Sequence, residues 1–345
     1  MLINFRRHFA GSALLALIGF ALAALYGWHE THALTAALAM LWVVAVLAVL
    51  EVSLSFDNAV VNAAVLTEMD PIWQRRFLTW GMVFAVFATR IVFPLAIVGI
   101  TARLNPLEAV RLSLEQPARY EAIVGQAHVA IAGFGGAFLS LVGIGFFINP
   151  DKDVHWFTWA ERRIQLLAQI KMIEIAMLLI ALVLIARGLP PGDAMHFLVA
   201  GLVGIIAFIA VEGLGAAMAE HEARHAASGV VMRAGLGAFI YLNVLDVSFS
   251  LDGVIGAFAL TRNMVIIAIG LSIGAIFVRS LTVMMVENST LAEYRYLEHG
   301  AFWAILALGV IMLASALVDV PQTVTGLIGA LLIGAALWWS VRKAS

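Results

Sequence analysis

Glu51-Val-Ser-Leu-Ser-Phe-Asp57-Asn58 returns further along the chain as Asp246-Val-Ser-Phe-Ser-Leu-Asp252-Gly253. Four of the eight positions are identical, and Glu/Asp, Leu/Phe and Phe/Leu exchange like for like. Each octet lies inside a long apolar run. In the apolar run that follows the first octet, Gly81 and Arg90 stand nine apart; in the run after the second, Gly270 and Arg279 do the same. A single apolar octet repeats easily by chance. Buried acids and serines, followed by a Gly and an Arg at equal spacing, do not. The chain therefore reads as a duplication.

The surroundings of the two octets set the fold class. Of 345 residues, 63% are hydrophobic and 12% charged, with a mean hydropathy of +1.00. A water-facing surface needs about twice that share of charge. Apolar runs of the length that spans a bilayer fall at about 10–28, 33–61, 77–101, 124–149, 170–188, 194–217, 231–260, 262–287, 298–318 and 321–341. The expectation is an all-α polytopic membrane protein of about ten transmembrane helices. It forms a single transmembrane domain over 1–345, with one repeat at about 10–188 and the other at about 194–341. The first run, after Arg6 and Arg7, is followed by Trp28, His29 and Glu30 rather than by small residues of a cleavage site, so it reads as a span.

Basic residues orient the spans. With the N-terminus inside, thirteen Lys and Arg fall in inner segments. Five (Arg103, Arg111, Arg119, Arg187 and Arg262) fall in outer ones. Both termini are expected in the cytoplasm, and the location is the cell membrane. The octets lie five spans apart, an odd number, so the repeats enter the membrane in opposite directions. Inverted repeats are a transporter design, with the substrate site near the midplane at their interface. Arg103–Glu121 alternates charge with Leu and Ala and reads as one interfacial amphipathic helix. Asp151–Arg163, with Trp156 and Trp159, reads as an aromatic-anchored interfacial stretch.

A charged side chain at the bilayer centre costs about 3 kcal/mol or more and persists where it meets a cavity or a partner. Four carboxylates, Glu51, Asp57, Asp246 and Asp252, sit in two apolar spans. On an ideal helix Glu51, Ser55, Asn58 and Asn62 share a face, with Ser53 and Asp57 about a third of a turn around. The second copy places Asn243, Asp246 and Ser250 together, with Ser248 beside Asp252. A helix break near Asp57 would add backbone carbonyls as ligands, and Gly253 and Gly256 favour a break in the second copy. Oxygen ligands without sulfur suit Mg, Ca or Mn rather than Cu or Zn. Arg90 and Arg279 offset the excess negative charge, or protons do, which gives a basis for proton-coupled exchange. The competing reading makes these acids structural polar glue between helices.

The motif Glu51-Val-Ser-Leu-Ser-Phe-Asp57-Asn58-Ala-Val-Val-Asn62, with its echo at Asp246–Asp252, resembles the TerC family of integral membrane proteins. That family is named for tellurium resistance and includes manganese exporters. Phe77-Leu-Thr-Trp-Gly-Met, Arg90-Ile-Val-Phe-Pro94 and His128–Phe147 resemble a branch of it known only as a domain of unknown function. The resemblance covers roughly residues 34–320. It implies a metal-cation exporter with Glu51, Asp57, Asn58, Asp246 and Asp252 at the metal-site positions. Manganese is the expected substrate and tellurium resistance an indirect phenotype. Gly253 departs from the pattern, standing where the first copy has Asn58.

Other motifs compete. His221-Glu222-Ala-Arg-His225 matches H-E-x-x-H, and Leu251-Asp252-Gly253 resembles the second motif of site-2 intramembrane zinc proteases. Against this, His221–His225 lies in a charged stretch, Leu251–Gly253 is already the copy of Phe56–Asn58, and Glu51 and Asp57 would have no role. The chain is therefore read as a transporter and not an enzyme. A non-transporting accessory protein is the third class. His128 begins the fourth span and is a candidate to face the cavity. Glu174 stands a turn from Lys171, whereas Glu212 has no partner in sequence. Gly133, Gly135, Gly136, Ala137 and Ser140 read as a close-packing face. The absence of cysteine removes disulfides, thiolate metal sites and cysteine nucleophiles, and a net charge of −2 gives no reason to expect nucleic acid. The expected partners are the bilayer, a divalent cation and protons, with no bound cofactor.

Overall fold

The computed structural model describes residues 2–81, 88–148, 154–167, 170, 172–226, 235–258, 260–261, 263–288, 290–318 and 320–344. Side chains within these are described except at 2–7, 30–31, 88–89, 93, 101, 166–167, 215–216, 218–226, 248–252, 254–256, 292, 322–323 and 344. All regular structure among the described residues is helical, as apolar runs in a membrane require: each backbone N–H and C=O must be satisfied within its own segment.

α1 (Leu2–Thr31) and α2 (Leu34–Leu54) form a hairpin whose turn passes through His32 at φ 50°. α2 continues across one turn residue, Ser55, into α3 (Phe56–Glu68). Asp70 then caps α4 (Pro71–Arg76), its side chain accepting from the Ile72 N–H, with Pro71 in the first turn. Two π-helical turns, Phe77–Gly81 and Ala88–Val92, lead into α5 (Phe93–Ala102). α6 (Pro106–Glu115) and α7 (Pro117–Gln126) replace the single amphipathic helix expected from the charge pattern. Pro117 is the reason: it lacks an N–H and bars the residue before it from helical backbone, and Gln116 sits at φ −134°, ψ 61°.

The remaining helices are α8 (His128–Ile148), α9 (Thr158–Leu167), α10 (Ile173–Ala186), α11 (Pro191–Ala226), α12 (Leu236–Ala257), α13 (Met264–Glu287), α14 (Thr290–Glu293), α15 (Leu297–Ser315) and α16 (Gln322–Ala344).

Seven candidate membrane spans occur among the described residues, in α1, α2, α8, α11, α13, α15 and α16. The other three segments expected from the sequence correspond to shorter apolar helices: Arg90–Ile100, Ile173–Ala186 and Leu236–Val247.

The glycines of α8 serve packing within the chain. A Cβ on Gly136 would stand 2.8 Å from Leu313 Cγ, and one on Gly133 would stand 2.6 Å from the Phe197 carbonyl oxygen. α8 thus meets α15 and α11 at backbone distance, as small residues allow in membranes.

Two apolar cores result. One gathers Val60, Val61 and Leu66 of α3 with α8, α10, α11, α15 and Leu242 and Leu245 of α12. The other gathers Val44, Leu47 and Ala48 of α2 with α1, α13 and Ala257 at the end of α12. Both motif helices therefore pass from one core to the other, and each acidic octet lies at the crossing.

Candidate functional site

The bend at Ser55 is mild. Ser55 N–H still donates to Glu51 O (2.9 Å) and Ala59 N–H to Ser55 O (3.1 Å), while Ser55 itself leaves helical backbone at φ −102°, ψ 15°. The first copy is thus bent two residues before Asp57. The break expected at Gly253 and Gly256 is absent: α12 runs unbroken from Leu236 to Ala257. In a continuous helix glycine is tolerated, and here Gly253 serves proximity instead. A Cβ at this position would stand 3.3 Å from Glu51 Oε2.

Glu51 is buried, with 1% of its surface exposed. Its Oε1 accepts from Ser55 Oγ (2.8 Å) and is ion-paired with the Arg90 guanidinium. Arg90 also donates Nε–H to Leu271 O (3.2 Å), which ties the second π-turn to α13. The depth of Glu51 follows from its neighbour in α13. Cβ atoms on Gly270 and Gly274 would stand 2.6 Å from Leu47 Cβ and 2.5 Å from Glu51 Cβ, so α2 and α13 run parallel at close approach. Counting from Met264, Gly274 is the eleventh of 24 residues in α13. At about 1.5 Å per residue, Glu51 lies near the middle of a hydrocarbon layer about 30 Å thick.

Asp246 of α12 approaches the same place from the other side. Its Oδ1 accepts from Asn62 Nδ2 (2.9 Å), and the Asn58 side chain and the charges of Arg90 and Glu51 lie within electrostatic reach. Asp57 Oδ1 accepts from the Asn58 N–H (2.9 Å). The shared face of Glu51, Ser55, Asn58 and Asn62 read from the sequence is thus present, and it faces Asp246. The oxygens Asn58 Oδ1, Asn62 Oδ1 and Asn243 Oδ1 are buried with no donor among the described residues. Buried amide oxygens normally find a donor, and those of Asn58 and Asn62, left open beside Asp57 and Asp246, are hard-oxygen positions of the kind a cation takes.

Glu51 and Asp57 also line a small pocket of ≈ 20 Å³ with Ser53, Ser55, Gly253, Thr325, Gly326 and Gly329. Thr325, Gly326 and Gly329 come from α16, which no motif marks. Ser53 faces outward and donates to Val49 O (2.8 Å).

Other expectations resolve differently. Among the described residues no three His, Cys, Asp or Glu side chains gather closely enough to hold a metal ion. The side chains of Asp252, Ser248 and Ser250 lie outside the described residues, although their backbone is helical. Arg279 does not mirror Arg90: it donates Nε–H to Leu78 O (2.8 Å) and meets no described carboxylate. Asn243 turns back on its own helix, donating to Phe239 O (2.7 Å), and makes no hydrogen bond to Asp246. His128 is half-buried at the start of α8 and does not line the pocket. The backbone of His221–His225 ends α11, and those side chains, like Lys171, lie outside the described residues. Glu212 is within electrostatic reach of Glu174 and Tyr241, so three helices share that second acidic spot.

One buried polar centre was missed by sequence reasoning. Glu161 is 1% exposed. It accepts from Trp156 N–H (3.3 Å), Phe157 N–H (3.2 Å) and Trp303 Nε1 (3.3 Å), and it contacts His155 Nδ1 at 3.2 Å and His299 Nε2 at 3.7 Å. It ties the segment before α9 to the start of α15. In sequence it looked like one more charge in an interfacial stretch, and only its density of aromatic neighbours gave a signal.

No protein of curated function matches the chain, and no solved structure does. A family model described as "Protein of unknown function (DUF475)" matches residues 56–345. The match takes in Asp57, Asn58, Arg90, Asp246 and Asp252, and it begins after α1, α2 and Glu51. With most of its length covered and seven candidate spans, this polytopic membrane protein belongs to the DUF475 family.

Proposed function

We propose that the chain is a membrane transporter that exports a divalent metal cation, Mn²⁺ first among them. The observation that carries this reading is the pair of buried amide oxygens without donors among the described residues, Asn58 Oδ1 and Asn62 Oδ1, beside Asp57 and Asp246 at the crossing of the two cores. Charge supports it. With Glu51, Asp57, Asp246 and Asp252 ionised and Arg90 and Arg279 charged, the repeated elements carry four negative and two positive charges. One dication neutralises the difference.

The repeat reading belongs to the same proposal. α2 packs on α13, and α12 packs on the π-turns, so each motif helix lies against the arginine-bearing segment of the other copy. Arg90 reaches Leu271 O and Arg279 reaches Leu78 O in the same crosswise sense. Such an exchange is what two inverted repeats about an axis in the membrane plane produce. The resemblance to TerC proteins points the same way. In this mechanism metal enters from the cytoplasm, where both termini lie. It binds ionised Asp57 and Asp252 with the amide oxygens, and it leaves outward as protons or a counter-ion replace it.

The test is Mn²⁺ flux in proteoliposomes under an imposed pH gradient, with Ca²⁺ and Zn²⁺ as competitors. The Asp57→Asn, Asp252→Asn double variant is expected to lose at least tenfold in flux while eluting normally on detergent gel filtration. Equal flux from parent and variant would remove this site assignment. Loss of protein instead of flux would favour a structural role for the acids.

A further inference from the structure

The acid pocket has an apolar neighbour. Between α2 and α16 runs a second cavity of ≈ 580 Å³, walled by Trp42, Val46, Val49 and Leu50 on one side and Leu327 and Ala330 on the other. Trp42 is 71% exposed, Val49 66% and Leu327 61%, so the groove is open on its outer side. Both helices are candidate membrane spans, and that side therefore faces hydrocarbon rather than water. Ser53, Leu54 and Gly326 line both cavities. The partition between them is thin: the Leu54 side chain lies over Gly326, where a Cβ would stand 2.8 Å from Leu54 Cδ2. One rotatable side chain against a residue that has none separates the bilayer from Asp57.

We propose that this seam is a lateral portal and that it binds lipophilic monocations, such as arylphosphonium or long-chain alkylammonium ions, with the apolar body in the groove and the charge at Asp57. The chemistry of the two linings selects that class. Among the described residues, every titratable side chain lining either cavity is an acid, Glu51 or Asp57. Glu51 is held by Arg90, whereas the described partners of Asp57 are backbone N–H groups alone. A small hydrated dication has no route through an apolar groove, because the cost of stripping its water is not returned there. A cation that carries its own hydrocarbon enters from the membrane without that cost and finds a carboxylate at the inner end. This inference stands without the metal reading, since it needs only Asp57 and the groove.

The experiment measures equilibrium binding of radiolabelled tetraphenylphosphonium to the full chain in lipid nanodiscs, with empty nanodiscs subtracted. The parent is expected to bind saturably, with displacement by dodecyltrimethylammonium. Asp57→Asn and the groove-filling Ala330→Trp are each expected to weaken binding at least tenfold. Ala330 is an exposed position on α16; if Ala330→Trp does not assemble, Val49→Trp fills the opposite wall. Absence of saturable binding to the parent overturns the proposal. Binding that survives Asp57→Asn also overturns it, because the groove would then hold lipid chains or apolar probes without reference to the acid.

Discussion

The two acidic octets differ in geometry more than in sequence. In the first, the helix bends at Ser55, Glu51 is ion-paired with Arg90, and the chain lies against Gly274 at backbone distance. In the second, α12 is unbroken, and Asp246 is held by the amide of Asn62 with Asn58 nearby, both borrowed from the first copy. Arg279, the sequence counterpart of Arg90, meets a carbonyl and no described carboxylate. Matching residues have thus taken different tasks: one copy neutralises its acid with a full charge, the other with dipoles. A carboxylate whose hydrogen-bond donor is a neutral amide keeps its negative charge available to a mobile cation. A carboxylate in a buried ion pair does not, unless the arginine moves. The comparison gives Glu51 of the first copy a fixed counter-charge and leaves Asp246 of the second on a neutral donor.

The largest expected effect tests that asymmetry directly. Arg90→Met strands Glu51 as an unpaired buried charge and is expected to cost about 3–5 kcal/mol. The readout is loss of the monodisperse peak on fluorescence-detected gel filtration after heating. Adding Glu51→Gln removes the stranded charge and should restore most of the lost thermal stability. No rescue would mean that Arg90 acts through Leu271 O instead.

A smaller loss is expected from Asn62→Leu, which takes one donor from Asp246: about 1–3 kcal/mol, read in the same melting assay. If Asn62→Leu proved as damaging as Arg90→Met, the distinction between charge-held and dipole-held acids would fail. Smallest is Arg279→Met, which removes one hydrogen bond to a backbone carbonyl at a half-buried position and is expected to cost about 1 kcal/mol. Equal melting shifts for Arg279→Met and Arg90→Met would show that the copies use their arginines alike.

Much of the fold was legible beforehand, for a plain reason. In hydrocarbon the backbone must pair within its own segment, so an apolar run of sufficient length is a helix whatever its neighbours. Among the described residues all ten apolar runs fall on helices, seven of them candidate spans. Proline punctuation was legible in principle as well: Pro117 divides α6 from α7, yet the charge alternation on either side suggested one helix. The face shared by Glu51, Ser55, Asn58 and Asn62 followed from helical spacing. What spacing did not give is partners: Arg279 meets the Leu78 carbonyl, Asn243 bonds back to Phe239 O, and His128 is absent from the pocket lining. Glu161 was passed over because its aromatic and histidine neighbours come from distant segments.

By itself the sequence determined that the chain is helical and membrane-embedded, that costly acids stand in two matching octets, and which residues share a helix face. These are local consequences of residue type, period and the price of burying charge. Tertiary structure decided which acid meets an arginine and which meets amides, that Gly270 and Gly274 bring α13 against Leu47 and Glu51, and that Leu54 over Gly326 divides the acid pocket from a lipid-facing groove. Those outcomes depend on the register and separation of helices far apart in the chain. Both are set by steric fit among many side chains, and the spacing within one segment does not encode them.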